Sequence, residues 1–152
     1  YLRNIRKKNL LPKYVTLVPV TNPFLHYKTL IKAYKKIIKS QKFESIISIT
    51  ECSEPPYLHV KIGKKLKFNI YKEMSGKRFE RSQDYPKAYI ETASIRISRI
   101  SYFLKYISNK DPKFSKPLFN QNSCGYIKIK KLESYDINTK KDLTYARILE
   151  GL

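Results

Sequence analysis

Apolar and polar positions change their period several times along this chain, and each change marks a predicted element. Ile5 to Lys8, with Leu10 and Leu11, reads as the tail of a helix closed by Pro12. Val15-Thr16-Leu17-Val18-Pro19-Val20 is a short apolar run rich in β-branched residues, the pattern of a buried, parallel-type strand. It feeds the loop Thr21-Asn22-Pro23-Phe24. From Tyr27 to Ser40 the period becomes helical: Leu30, Ile31, Tyr34, Ile37 and Ile38 share one face, and Lys28, Lys32, Lys35 and Lys39 fall largely outside it. Ile46-Ile47-Ser48-Ile49 is a second buried strand. Strand, helix and strand with short links predict a βαβ unit, hence a parallel sheet covered by helices.

The middle of the chain is less regular. Leu58 to Ile62 and Leu66 to Ile70 alternate like hairpin strands around Gly63-Lys64-Lys65, and Lys72 to Lys87 is a basic loop. Ala88 to Ile97 alternates as a strand, Ser98 to Tyr106 is a short helix, and a loop with Pro112 and Pro117 leads to the strand Gly125 to Ile129. The last helix has a clear start. Thr139-Lys140-Lys141-Asp142 fits a capping box, and Leu143, Ala146, Ile148 and Leu149 supply its apolar positions. With no repeat, low-complexity tract or linker, one domain over 1–152 is expected.

Composition bounds the function more than it assigns it. The 152 residues are enough for one real core, and the 41% hydrophobic content lies above that of disordered chains. No apolar run reaches membrane-spanning length, so no membrane partner is expected. Cys52 and Cys124 lack metal-ligand spacing and read as free thiols of a reducing cytoplasm, and His26 and His59 have no ligand partner at a zinc interval. The formal charge of +20 is spread along the whole length, without a basic tail, zinc knuckle or RNP-like aromatic motif, so nucleic acid is not the expected partner.

Two segments fall where an α/β sheet binds ligands, beyond the C-terminal ends of its strands: Thr21-Asn22-Pro23 and Asp136-Ile137-Asn138. Along an extended backbone Asp136 and Asn138 point to the same side, where a carboxylate and an amide oxygen could hold Mg²⁺ together with phosphate oxygens. Asp and Asn before a helix are also ordinary caps and turns, so the residues alone leave both readings open.

Four segments in order carry a resemblance. Tyr135-Asp136-Ile137-Asn138-Thr139 with Asp142-Leu143 and Ala146 is similar to the "DIDT…DL…A" ending of acylneuraminate cytidylyltransferases. Arg81-Ser82-Gln83-Asp84-Tyr85-Pro86-Lys87-Ala88-Tyr89 resembles their "RxQDLPxxY" segment, Glu91-Thr92-Ala93-Ser94-Ile95 stands at their "ENGAI" strand, and Val20-Thr21-Asn22-Pro23-Phe24 at their "PTSPL". The resemblance covers most of residues 15–150. It implies an α/β, Rossmann-like nucleotide-diphospho-sugar transferase fold (GT-A-like), a mixed sheet with helices on both faces. It also implies the C-terminal portion of an enzyme whose N-terminal part lies outside this sequence.

The implied chemistry is transfer of CMP from CTP to the anomeric hydroxyl of a sialic-acid-like nonulosonic acid, with release of pyrophosphate, in a cytoplasmic homodimer. Asp136 and Asn138 are then the metal ligands, with Mg²⁺ as cofactor. Asp136 and Arg81 are the catalytic residues, and Thr21, Asn22, Arg81, Gln83, Tyr89 and Thr92 line the substrates. The segment 58–106 is the expected dimerisation and sugar-binding part. Asn138 stands in place of the family's second acid, Thr92-Ala93 in place of Asn-Gly, and Pro19 where many members have glutamine. The strand and glycine-containing loop that cradle the CTP phosphates have no counterpart here. This chain is therefore expected to be inactive alone. A catalytically dead paralogue used for association is the first alternative, and a basic nucleic-acid-binding protein, on charge only, the second.

Overall fold

The computed structural model describes residues 11–54, 60–61, 67–68, 81–108 and 121–151. The helix tail expected at Ile5 to Lys8 lies outside them. Contacts divide the chain into two units, residues 1–49 with 91–152, and residues 50–90.

The larger unit is built on a four-stranded mixed sheet. Its strands are β1 (Tyr14–Leu17), β2 (Ser45–Glu51), β5 (Tyr89–Arg99) and β6 (Cys124–Lys128), in the order β1-β5-β2-β6. β1 pairs antiparallel with β5, and β2 pairs parallel with β6. The amide of Arg99 donates to Glu44 O (2.8 Å) and that of Ile95 to the Ser48 hydroxyl (2.8 Å), so β5 also runs against β2. The expected parallel β1–β2 neighbourhood is therefore corrected: the two strands are parallel, but β5 is inserted between them. A buried run on β1 is corrected as well. β1 lies at an edge of the described sheet, half-buried, and Val20 just beyond it is 99% exposed.

One face of the sheet is covered by α1 (Tyr27–Lys39). Ala33 and Ile37 of α1 form the core with Ile46, Ile95 and Ile97, all fully buried, and Tyr14, Leu30, Tyr34 and Phe43 pack around them. Each buried isoleucine contributes about 1.5–3 kcal/mol by leaving water. On the alternate side of the pleat, Phe103 of α2 (Ile100–Ser108) lines a small recess with Val15, Leu17, Ser45, Ile47 and Ser98. Helices thus lie on both faces. The last helix, α3 (Lys140–Glu150), begins with the predicted capping box between Thr139 and Asp142, and Ala146 is its buried residue.

Neither end of α1 is satisfied by its own sequence alone. Its first turn has no acid, and its last carbonyls meet the Arg99 guanidinium, which donates to Phe43 O (2.9 Å), Ser40 O (2.9 Å) and Ile37 O (3.3 Å). A cation at a helix C-terminus is the favourable sign.

β5 carries an irregularity at Thr92–Ser94. Ala93 has φ 57°, the one left-handed non-glycine among the described residues. Next to it the Ile95 amide donates to the Ser48 hydroxyl (2.8 Å), which also meets the Thr92 hydroxyl at 2.8 Å. A left-handed residue in a strand with a displaced ladder bond is a bulge. Ala93 stands where the resembling family has glycine, and the backbone explains that glycine. Left-handed backbone disfavours a Cβ by about 1–2 kcal/mol, against about 0.5–1 kcal/mol of chain entropy that glycine loses on folding. Ala93→Gly should therefore raise stability by about 0.5–1 kcal/mol, read as a higher urea midpoint at unchanged slope.

In the smaller unit, β3 (Val60–Lys61) and β4 (Lys67–Phe68) pair antiparallel, with Val60 opposite Phe68 and Lys61 opposite Lys67, within the two segments expected to pair. A 3₁₀ turn covers Ser82–Asp84, the Cys52 amide donates to Ala88 O (2.9 Å), and Lys87 pairs with Glu51 at 3.3 Å across exposed surface. His59 and most of 58–80 lie outside the described residues.

Candidate functional site

β1, β2 and β6 run the same way, so their C-terminal ends share one edge of the sheet. Two loops leave that edge, 18–26 after β1 and 129–139 after β6, and they are docked on each other. The Ile137 amide donates to Thr21 O (2.9 Å), and the Asn22 side-chain amide donates to Tyr135 O (2.8 Å). Phe24 meets the Tyr135 ring edge-on, with centroids 6.0 Å apart. The two segments singled out in the sequence thus form one surface. Asn22 is buried, and its Oδ1 has no hydrogen-bond partner among the described residues, an acceptor left open at this junction.

Asp136 and Asn138 point to the same side, as the extended backbone requires. Asn138 Nδ2 donates to Asp136 Oδ2 at 3.2 Å, and both residues are exposed. The next acid along the chain, Asp142, is committed elsewhere. Asp142 Oδ2 accepts from Thr139 N (2.7 Å), Thr139 Oγ1 (2.8 Å) and Asn138 N (3.1 Å). The hydrogen bond from the Thr139 hydroxyl, then those from the backbone, hold its carboxyl below the ordinary aspartate range. No group of three or more His, Cys, Asp or Glu that could hold a metal occurs among the described residues. With the Asn138 amide turned, Asp136 and an amide oxygen could offer a ligand set with a single full charge. Oxygen donors of this kind fit Mg²⁺, which keeps several waters and takes only one or two protein carboxylates.

Glu133, which the sequence did not single out, holds this arrangement to α1. Its carboxylate accepts from Thr29 Oγ1 (2.5 Å), Lys130 N (3.2 Å) and His26 N (3.3 Å), so it lies at the acid-free start of the helix. The His26 ring completes the cap by accepting from Lys28 N (3.1 Å). An acid followed by helical signals would have revealed this role, but Glu133 precedes a different helix from the one it caps. Burial raises the Glu133 pKa, and the bonds from Thr29, Lys130 and His26 outweigh it and lower it below the ordinary value of 4.5. The carboxylate is therefore preferred in the folded chain. Its stabilisation is present above the unfolded pKa and is lost as pH falls through the folded one. Urea midpoints should drop below about pH 4.5, and Glu133→Gln should flatten that part of the profile.

The remaining predicted residues are placed as follows. Thr92 is half-buried, with its hydroxyl on Ser48 Oγ (2.8 Å), so it serves the bulge. Arg81, Gln83 and Tyr89 belong to the smaller unit and are exposed. Cys52 and Cys124 are free, as expected, and half-buried; burial pushes the Cys124 thiol up.

No protein-family model and no curated protein matches the sequence. Among solved structures, the chain is similar to 4-diphosphocytidyl-2C-methyl-D-erythritol synthase from Anaerococcus prevotii, with a TM-score of 0.60 over 98% of this chain at 13% identity. The two chains share a fold. The expected Rossmann-like α/β architecture with a mixed sheet is borne out. The chain spans 65% of that structure's length. No helix among the described residues is long and apolar enough to cross a membrane.

Proposed function

We propose that this chain carries the metal and acceptor part of a cytidylyltransferase site, which transfers CMP from CTP to the anomeric hydroxyl of a sialic-acid-like nonulosonic acid. The observation that carries the reading is the Asp136–Asn138 pair, held beside Thr21 and Asn22 at the C-terminal edge of the parallel strands of a nucleotidyltransferase fold. The sugar acid comes from the ordered resemblance to acylneuraminate cytidylyltransferases. The structural neighbour is named for a methylerythritol product.

In this reading the anomeric hydroxyl oxygen bonds to the α-phosphorus and gives its proton to solvent, while the bond to the β-phosphate oxygen breaks and pyrophosphate leaves. Such a transfer depends on position and charge more than on covalent work by the protein. Asp136, with Asn138 turned to present its oxygen, would hold Mg²⁺ against phosphate oxygens. That ion, when bound, offsets triphosphate charge. The open Oδ1 of Asn22 supports a hydrogen bond from a ligand donor, and Thr21 holds the loop that carries Asp136. Arg81 has the planar cation that suits a sugar carboxylate, with Gln83 and Tyr89 as its hydrogen-bonding neighbours in sequence.

The test supplies the complete gene product with CTP, Mg²⁺ and a panel of nonulosonic acids, with a methylerythritol acceptor in parallel. Pyrophosphate with a nonulosonic acid is the expected result. Release with methylerythritol alone would move the substrate, and no release from folded protein would end the enzymatic reading.

A second reading, an association module without activity through segment 58–106, is favoured by Asn138 in place of an acid. Asn138→Asp adds a second carboxylate beside Asp136 and should tighten Mn²⁺ binding at least about tenfold, measured by titration with spin-resonance detection. Asp136→Ala should abolish that binding. Transfer activity that appears or rises sharply in Asn138→Asp would end the association reading for this site.

A further inference from the structure

The outward half of α1 has a pattern that the site does not use. At 100° per residue, Tyr27, Ile38 and Ile31 fall within one narrow sector, and Lys35, Lys28, Lys39 and Lys32 fill the sector beside it. The buried side of the helix, with Ala33 and Ile37, is on the opposite flank. All three apolar residues of the outward sector are open: Tyr27 is 64%, Ile38 58% and Ile31 45% exposed. The four lysines are exposed too, and the helix contains no acid. Lys36, outside this sector, is tied to the fold by donating to Tyr126 O (2.6 Å).

We propose that this face of α1 docks on an anionic lipid surface, with Tyr27, Ile31 and Ile38 entering the headgroup boundary and Lys28, Lys32, Lys35 and Lys39 meeting lipid phosphates. Charge decides the occupant. A second copy would bring lysine against lysine. The segments of this chain outside the described residues together carry 12 Lys and Arg against 3 Asp and Glu, so they supply no acidic cover. Nucleic acid would match the charge but leave the aliphatic strip unused, since single strands are held by aromatic stacking as well as by charge. An apolar strip beside a lysine sector is the arrangement of a helix lying in a bilayer interface.

The chain has no tryptophan, so Tyr27→Trp gives a single reporter at the edge of the strip. Its emission should shift to the blue with phosphatidylcholine vesicles containing about a third phosphatidylglycerol, and not with pure phosphatidylcholine. Because a chain of +20 adheres loosely to any anionic surface, two charge-matched variants are compared by vesicle sedimentation at physiological salt. Replacing Lys28, Lys32, Lys35 and Lys39 by Gln should weaken binding about a hundredfold or more. Replacing Lys13, Lys42, Lys130 and Lys140 should weaken it less than about tenfold. Ile31→Ser with Ile38→Ser should lose about tenfold. Every substituted side chain is solvent-exposed, and circular dichroism verifies the fold. No blue shift, equal losses in the two lysine sets, or indifference to the serine pair would overturn the proposal. So would binding to homopolymeric RNA with the same dependence on both the lysines and Ile31 and Ile38.

Discussion

Gly125→Val is expected to lower the unfolding free energy by about 3 kcal/mol, seen as a large fall in urea midpoint with the slope unchanged. Gly125 is in β6 directly opposite Ile46 of β2. A Cβ there would come within 2.6 Å of Ile46 Cδ1 and 2.8 and 2.9 Å of the Phe43 ring. Neither neighbour can give way. Ile46 is fully buried, and Phe43 packs against the same core while its carbonyl is held by Arg99. Replacing glycine normally recovers about 0.5–1 kcal/mol of chain entropy, but overpacking of this kind costs more than that recovery. Gly125→Ala should show the same sign with a smaller effect.

Ser48→Ala is the second large effect, about 1–3 kcal/mol. Ser48 and Ile95 are both fully buried, and the serine hydroxyl is the partner of the Ile95 amide. Removing it leaves a donor in the core without an acceptor and the Thr92 hydroxyl without its 2.8 Å neighbour. Because both losses belong to one network, Ser48→Ala combined with Thr92→Val should be less destabilised than the sum of the single variants. Additive effects in that cycle would mean that Thr92 is held by other contacts.

Local features of this fold are legible in the sequence, and partner choice is not. The start of α3 follows from Thr139 and Asp142 alone, because a capping box satisfies donors within one turn. The helix at Tyr27–Lys39 and the pairing of Val60–Lys61 with Lys67–Phe68 are equally local. The neighbour of β1 is another matter. Val15, Leu17 and Val18 announce an apolar strand, but a pattern of burial does not say which strand pairs with it, and β5 reaches that place from far along the chain. The site divides in the same way. Alternation along an extended backbone puts Asp136 beside Asn138, whereas the docking of Thr21 on Ile137 and the capping of α1 by Glu133 are tertiary. The lysines outside the apolar face of α1 read as ordinary solvated charge until the fold left Ile31 and Ile38 exposed among them.

The bond between Asn22 and the Tyr135 carbonyl joins residues 113 apart in sequence. Closing so long a loop is entropically costly before the sheet has drawn its ends together, so this junction forms late in folding. During synthesis at roughly 5–20 residues per second, the loop after β1 would wait for the order of ten seconds before its counterpart left the ribosome. Asp136 and Asn138 would then reach their places beside Thr21 only after the sheet strands β2, β5 and β6 had been made. The junction of the two loops is thus a report of completed folding, and a chain that stalls earlier would carry the α1 lysines but no docked loops.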